Sequence, residues 1–186
     1  MGMPAPQANW TAEMARALPD DGQRYEVLDG ELHVSPAPTL EHQSIVQRLF
    51  RLIDPYVSGH ELGWTWLSPA DIEFSPKRLL QPDLFVVPDR GRGEPLAWRD
   101  ITELLLVVEV GSPSTLHVDR GEKRRIYLSE EIPEYWIVNA ERRLVERWQP
   151  KSVNPETISN ELLWQPSDKQ APLRIVVPRL FSNVRP

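Results

Sequence analysis

Apolar residues along the chain switch between the helical and the strand period, and the switches mark out the elements. Ala12 to Leu18, with Thr11 as N-cap, predicts a short helix stopped by Pro19. Tyr25 to Leu28 and Glu31 to Val34 flank Asp29-Gly30, which predicts a β-hairpin. After Pro36-Ala37-Pro38 the period changes. Ile45, Val46, Leu49, Phe50, Ile53 and Val57 share one side, with Arg48 and Arg51 on the other, so an amphipathic helix starts near Thr39. His42 lies one turn earlier on the same inward face.

Strands follow. Gly63 to Leu67 and Asp71 to Phe74 are separated by Ser68-Pro69, and 76–81 reads as a turn. Leu84 to Val87 is a short apolar strand directly after Pro82-Asp83, and 88–99 is a polar loop. Leu104 to Val110 is an almost unbroken apolar run, as expected of a central strand covered on both faces. Asp119 to Glu122 resembles a capping box that opens a helix carrying Lys123, Ile126 and Tyr127 and ending near Ser129. Tyr135 to Val138 and Leu144 to Trp148 read as paired strands, 150–170 shows little pattern, and Leu173 to Val177 is a last strand. The order predicts a mixed α/β fold around a central sheet.

Composition narrows the function classes. The 186 residues suit one domain. No run approaches the roughly 18 apolar residues of a membrane span. Met1 to Trp10 lacks the basic and apolar regions of a secretory leader, so a cytoplasmic location is expected. The absence of cysteine excludes disulfides, thiolate zinc sites and cysteine nucleophiles. The formal net charge of −6 weighs against broad nonspecific nucleic-acid binding but leaves room for a local basic groove.

Two carboxylates stand out by position. Asp83 precedes an apolar strand and Glu109 lies inside the most apolar run. An ionised carboxylate removed from water must be paired, protonated or bound to a cation. Two on neighbouring strands can share a divalent metal, and Mg²⁺ takes such oxygen ligands together with water and phosphate. Lys123 lies four residues after Asp119, turned inward with Ile126 and Tyr127, where it can stabilise charge in phosphoryl transfer. A buried Glu109–Lys123 ion pair without catalysis explains the same two residues.

Several stretches occur in one order: Tyr25 to Leu32, Ser35-Pro36-Ala37-Pro38 with His42, Gln81-Pro82-Asp83-Leu84, Val108-Glu109-Val110 with Ser112 to Thr115, Asp119 with Lys123 and Tyr127, and Glu134 to Val138. This set resembles the Uma-type family of restriction-endonuclease-like proteins, bacterial members of the PD-(D/E)XK class. The resemblance covers roughly residues 24–148, with 149–186 as a C-terminal extension of one nuclease-like domain, 1–186. It implies a restriction-endonuclease-like mixed sheet flanked by helices with an N-terminal hairpin. It also implies a Mg²⁺- or Mn²⁺-dependent endonuclease acting on DNA.

On that resemblance Asp83, Glu109 and Lys123 are the catalytic residues, and Asp83, Glu109 and Glu31 are metal ligands. Gly111 stands where the motif calls for lysine, and Lys123 takes that place from the helix. His42 either contacts a phosphate or water or is a satisfied core histidine. Gln81 supports the site from behind. Asp119 either orients Lys123 or only caps its helix. Arg120, Arg124 and Arg125 either form a basic patch for DNA or a solvated helix face. A homodimer fits enzymes that cut two strands with two sites. A catalytically inactive binding or assembly module on the same fold is the alternative. Paired acids also serve glycoside hydrolysis, which gives Lys123 and the Pro-Asp motif no role.

Overall fold

The computed structural model describes residues 9–182, so the reading of a missing leader falls largely on residues 1–8, outside the described part. The short helix α1 spans Ala12–Arg16, and the Thr11 side chain accepts from the Met14 N–H. Strands β1 (Arg24–Leu28) and β2 (Glu31–Ser35) form the expected hairpin. Asp29 and Gly30 both have positive φ, 51° and 89°, which is the twist a two-residue hairpin turn requires. Helix α2 spans Leu40–Gly59 from the Thr39 cap, and Ile45, Val46, Leu49, Ile53 and Val57 are buried along one side.

Next come β3 (Gly63–Leu67), β4 (Ile72–Ser75), β5 (Arg78–Leu80), β6 (Leu84–Pro88) and β7 (Leu106–Gly111). Helix α3 runs over Leu116–Val118, a π-helical turn Asp119–Lys123, and Arg124–Ser129. Then follow β8 (Tyr135–Asn139), β9 (Leu144–Trp148), β10 (Glu156–Ile158), β11 (Glu161–Trp164), β12 (Leu173–Val176) and a last turn of helix, α4 (Val177–Leu180).

The central sheet has six strands in the order β10-β9-β8-β7-β6-β3. β7 pairs parallel with β8 and antiparallel with β6, and every residue of β7 is buried. Alternation sorts its side chains. Leu106, Val108 and Val110 pack with α2 in one core, together with Leu162, Trp164 and Ile175 of the β11–β12 hairpin. Val107 faces the other way, toward Ile126 and Tyr127 of α3 and toward Leu28, Ile72 and Leu80. Those last three belong to a second sheet, ordered β2-β1-β5-β4, whose far side is covered by Ala12 and Ala15 of α1. This is the mixed sheet flanked by helices that the sequence predicts. Among the described residues, no helix is long and apolar enough to cross a membrane.

Three expectations change. Residues 76–81 are not only a turn, because Arg78–Leu80 pairs with both β1 and β4. A three-residue strand is too short to show a period. The featureless stretch 150–170 contains β10 and β11, which contribute Ile158, Leu162 and Trp164 to the core. Asp119 does not cap a helix. α3 already begins at Leu116, and Asp119 lies buried within it.

Candidate active site

β6 and β7 bring the two strand carboxylates together. Leu84 is register partner of Val108, Phe85 of Val107 and Val86 of Leu106. Extending that register by one residue sets Asp83 opposite Glu109. Both have the same strand parity as Phe85 and Val107, so they point toward α3 and the second sheet. The backbone N–H of Val110 donates to Asp83 Oδ2 at 2.8 Å. Asp83 is 3 % exposed and Glu109 2 %.

Each carboxylate has its own partners. Arg24 Nη1 lies 2.8 Å from Asp83 Oδ1, and His42 Nε2 lies 2.9 Å from Asp83 Oδ2. An ionised carboxylate only accepts, so His42 donates from Nε2. Burial opposes ionisation of Asp83, but the His42 hydrogen bond, the Arg24 charge and the Val110 N–H outweigh it. They hold Asp83 well below the usual carboxylate range. Glu109 Oε1 receives Lys123 Nζ at 3.0 Å and the Tyr127 hydroxyl at 2.9 Å. Burial pushes Glu109 well up; Lys123 counteracts this, and the negative charges of Asp83, Asp119 and Glu26 add to it.

Lys123 Nζ also lies 2.9 Å from Glu26 Oε2. Burial alone lowers a lysine, yet Glu109, Glu26 and Asp119 raise Lys123 and keep it charged. Glu26 is fully buried on β1, and its Oε1 accepts the Gln81 N–H at 2.8 Å. Asp119 is lifted by burial, with Asp83 and Glu26 contributing and Lys123 opposing, up to about 6.

Arg24, His42, Asp83, Glu109, Asp119 and Lys123 line a cavity of about 220 Å³, with Glu26 behind Lys123; its wall also includes His33, Pro36 to Thr39, Ser112, Ser114 and Thr115. Asp83, Glu109, Lys123, His42 and Asp119 all reach it. Glu31 does not. It is exposed at the start of β2, on the same side as His33 and Ser35 but at the hairpin end of the strand. Glu26 supplies the carboxylate that the hairpin contributes. Gln81 stands behind the cavity, with its side chain on Asp71 at 2.8 Å and its carbonyl accepting from Arg24 at 3.2 Å. Arg24, Glu26 and His33 were missed by the sequence reading. The available signal was strand alternation, which sets Arg24, Glu26 and Leu28 on one side of β1.

The lysine at helix α3 has a steric reason. A Cβ on Gly111 would stand 2.4 Å from Leu116 Cδ2 and 3.2 Å from Asp119 Oδ2. No side chain fits at 111 while α3 packs there. Gly111→Ala is expected to lower stability by about 1–3 kcal/mol in urea denaturation, although alanine elsewhere in a strand is neutral or better. The three arginines of α3 are engaged and do not form a free basic patch. Arg120 pairs with Glu146, Arg125 with Asp29, and Arg124 stacks over Trp148 at 4.6 Å.

A family model described as "Uma2: Putative restriction endonuclease" matches residues 12–176. The chain belongs to the Uma2 family. The match extends on both sides of 24–148, the stretch that carries the motifs. The Uma2 chain is also similar to a crystal structure described as a putative nuclease belonging to DUF820 from Anabaena variabilis ATCC 29413. The TM-score is 0.73 at 17 % identity, over 92 % of this chain and 97 % of that one. That likeness shows that the two chains share one mixed α/β fold. Comparison with curated proteins gives no significant match.

Restriction-endonuclease-like families generally use divalent metals, so the fit of this Uma2 site to one is a fair test. Among the described residues, no three His, Asp or Glu side chains are spaced to enclose an ion. The donor chemistry and charge nevertheless suit a hard cation. Four buried carboxylates, Glu26, Asp83, Glu109 and Asp119, face two cations, Arg24 and Lys123, leaving a formal charge of −2. Glu109 and Asp119, both raised, are where that excess shows. Mg²⁺ commonly takes one or two carboxylates and completes its shell with water and phosphate.

The raised Asp119 makes a prediction for the metal-free protein. A carboxyl lifted from 3.8 to about 6 by folding contributes stability below its unfolded pKa and loses it as pH rises through the folded one. Asp119→Asn is therefore expected to stabilise the protein at pH 8 by on the order of 2–3 kcal/mol, with the gain gone below about pH 4. Chemical denaturation at the two pH values measures it.

Proposed function

We propose that this chain is a metal-dependent endonuclease that hydrolyses DNA phosphodiester bonds. The observation that carries the reading is the placement of Asp83 opposite Glu109 at the floor of one cavity, with Lys123 against Glu109. Asp83 and Glu109, with Asp119 beside them, are the residues that would hold Mg²⁺ or Mn²⁺. When bound, the cation polarises the phosphodiester and neutralises developing charge.

The side chains divide the remaining work. Lys123, kept protonated between two carboxylates, is a fixed positive charge for the phosphate and not a base. Asp119, lifted to about 6, is the cavity carboxyl suited to take the proton that water releases as it attacks phosphorus and the P–O bond to the leaving strand breaks. Tyr127 holds Glu109 Oε1, and His42 holds Asp83 Oδ2.

The test is incubation of purified protein with supercoiled, linear duplex and single-stranded DNA, with Mg²⁺, Mn²⁺ or EDTA, beside Glu109→Gln prepared identically. Cleavage with metal that is absent in EDTA and in the variant supports the reading. Equal cutting by both proteins identifies a contaminant and removes the assignment.

A second reading, a nuclease-like module that binds without cutting, draws on one observation. Asp83 already carries three donors, from Arg24, His42 and Val110. Calorimetry separates the two. No heat with Mn²⁺ favours the module, whereas heat that disappears in Glu109→Gln opposes it.

A further inference from the structure

Two cationic side chains, Arg24 and Lys123, line the cavity, and they are held differently. Lys123 is 5 % exposed and fastened by two carboxylates. Arg24 is 18 % exposed, stands at the first position of β1, and borders a second recess beside Pro36 to Pro38 that opens toward Gly22 and Gln23. Its hydrogen bonds to Asp83 and to the Gln81 carbonyl all run through Nη1. A guanidinium has five N–H donors in a planar fork that matches phosphate. The Nε and Nη2 donors thus remain for another acceptor.

Arg24 also occupies the side chain that a cation would take. Asp83 Oδ1 has Arg24 as its partner, while Oδ2 is held by His42 and the Val110 N–H. A divalent ion on Asp83 would replace the counter-charge that Arg24 supplies. The guanidinium it would displace already belongs to the cavity wall, within reach of a phosphate entering the cavity. None of the three α3 arginines lines the cavity.

We propose that Arg24 is an exchangeable counter-ion: it neutralises Asp83 while no metal is bound, and it turns its guanidinium to a phosphate of the nucleic-acid strand when a divalent cation takes Asp83. This rests on the metal-dependent reading above and adds to it a substrate-binding residue and the order in which the site is assembled.

The two halves of the proposal move in opposite directions on one substitution. Arg24→Met is expected to tighten Mn²⁺ binding several-fold in calorimetry, because the competing charge is gone. The same substitution is expected to weaken binding of a short fluorescein-labelled oligonucleotide in Ca²⁺. It should also reduce the slope of log affinity against log salt by about one, the signature of one lost phosphate contact. Arg24→Lys keeps the charge, so its Mn²⁺ affinity and salt slope stay near those of the parent. Arg24→Gln, which removes the charge but keeps a polar side chain, is expected to shift both readings in the same directions as Arg24→Met and serves as the test if Arg24→Met fails to fold. Arg120→Met removes an equal charge from α3 and is expected to change neither reading.

Unchanged or weaker Mn²⁺ binding in Arg24→Met overturns the counter-ion role. An unchanged salt slope overturns the phosphate role. If both shifts occur and the parent protein cuts no DNA, the nuclease reading falls and Arg24 keeps its assignment. If the parent cuts DNA and neither shift occurs, the converse holds.

Discussion

Asp83→Ala is expected to reduce metal-dependent DNA cleavage by on the order of 10³-fold or more. The same substitution should destabilise the metal-free protein by about 3–5 kcal/mol. The two losses have different origins. Cleavage falls because one of the two strand carboxylates that would hold the cation is gone. Stability falls because the Arg24 guanidinium, the His42 Nε2–H and the Val110 N–H lose their shared acceptor in a place with little water. The pH dependence identifies the second origin. Asp83 is held well below its ordinary value, so its contribution is present above the unfolded pKa and is lost as pH falls through the folded one. Urea denaturation should show the full difference between parent and variant at pH 7, narrowing only below about pH 4. A constant difference at all pH values would mean that packing, not the charge, is what Asp83 supplies.

Lys123→Met should destabilise the fold by as much as Asp83→Ala. Lys123 is nearly inaccessible and contacts Glu109 at 3.0 Å and Glu26 at 2.9 Å. Removing it strands two carboxylates that share one counter-ion. Loss of one partner of a buried ion pair costs about 3–5 kcal/mol, roughly 10 °C in midpoint for a chain of this size. The variant is expected to gain stability on acidification. Glu109 is raised above its unfolded value even with the lysine present, and removing Lys123 takes away the leading influence that opposes that rise. A raised carboxyl contributes stability below its unfolded pKa and loses it as pH increases. Lys123→Met should therefore be more stable at pH 5 than at pH 8, by thermal melts in EDTA. Adding Glu109→Gln should recover part of the loss at pH 8. A variant as stable as the parent at pH 8 would show that Lys123 is not needed to neutralise this site.

The strand carboxylates were legible because the physics that exposes them is local. A charged residue inside or beside an apolar run has few harmless explanations, and Asp83 and Glu109 were found on that basis. The Asp29-Gly30 hairpin and helix α2 were legible for the same reason, since a turn with two positive φ values and a long helical stripe each leave a pattern. What remained hidden depends on contacts between distant segments. Glu26 and Arg24 lie in an ordinary alternating strand, and only the packing of the second sheet onto the first sets Arg24 in the cavity wall and Glu26 against Lys123. β5 joins that sheet through three residues. Glu31 shares a strand side with His33, but distance along β2 removes it from the site. Asp119 carries the cap signature of an acidic residue three before a glutamate, so the sequence leaves capping and the orienting of Lys123 equally open. Its actual position follows from a π-helical turn and from the close approach of α3 to Gly111, neither of which leaves a mark in the sequence.

The measurement that bears most directly on the central claim is a crystal structure of the protein soaked in Mn²⁺, with the ion located by anomalous scattering. The expected result is a peak in the cavity within about 2.0–2.4 Å of carboxylate oxygens of Asp83 and Glu109, with Lys123 still against Glu109. A cavity without a peak, or an ion bound only elsewhere on the surface, would contradict it.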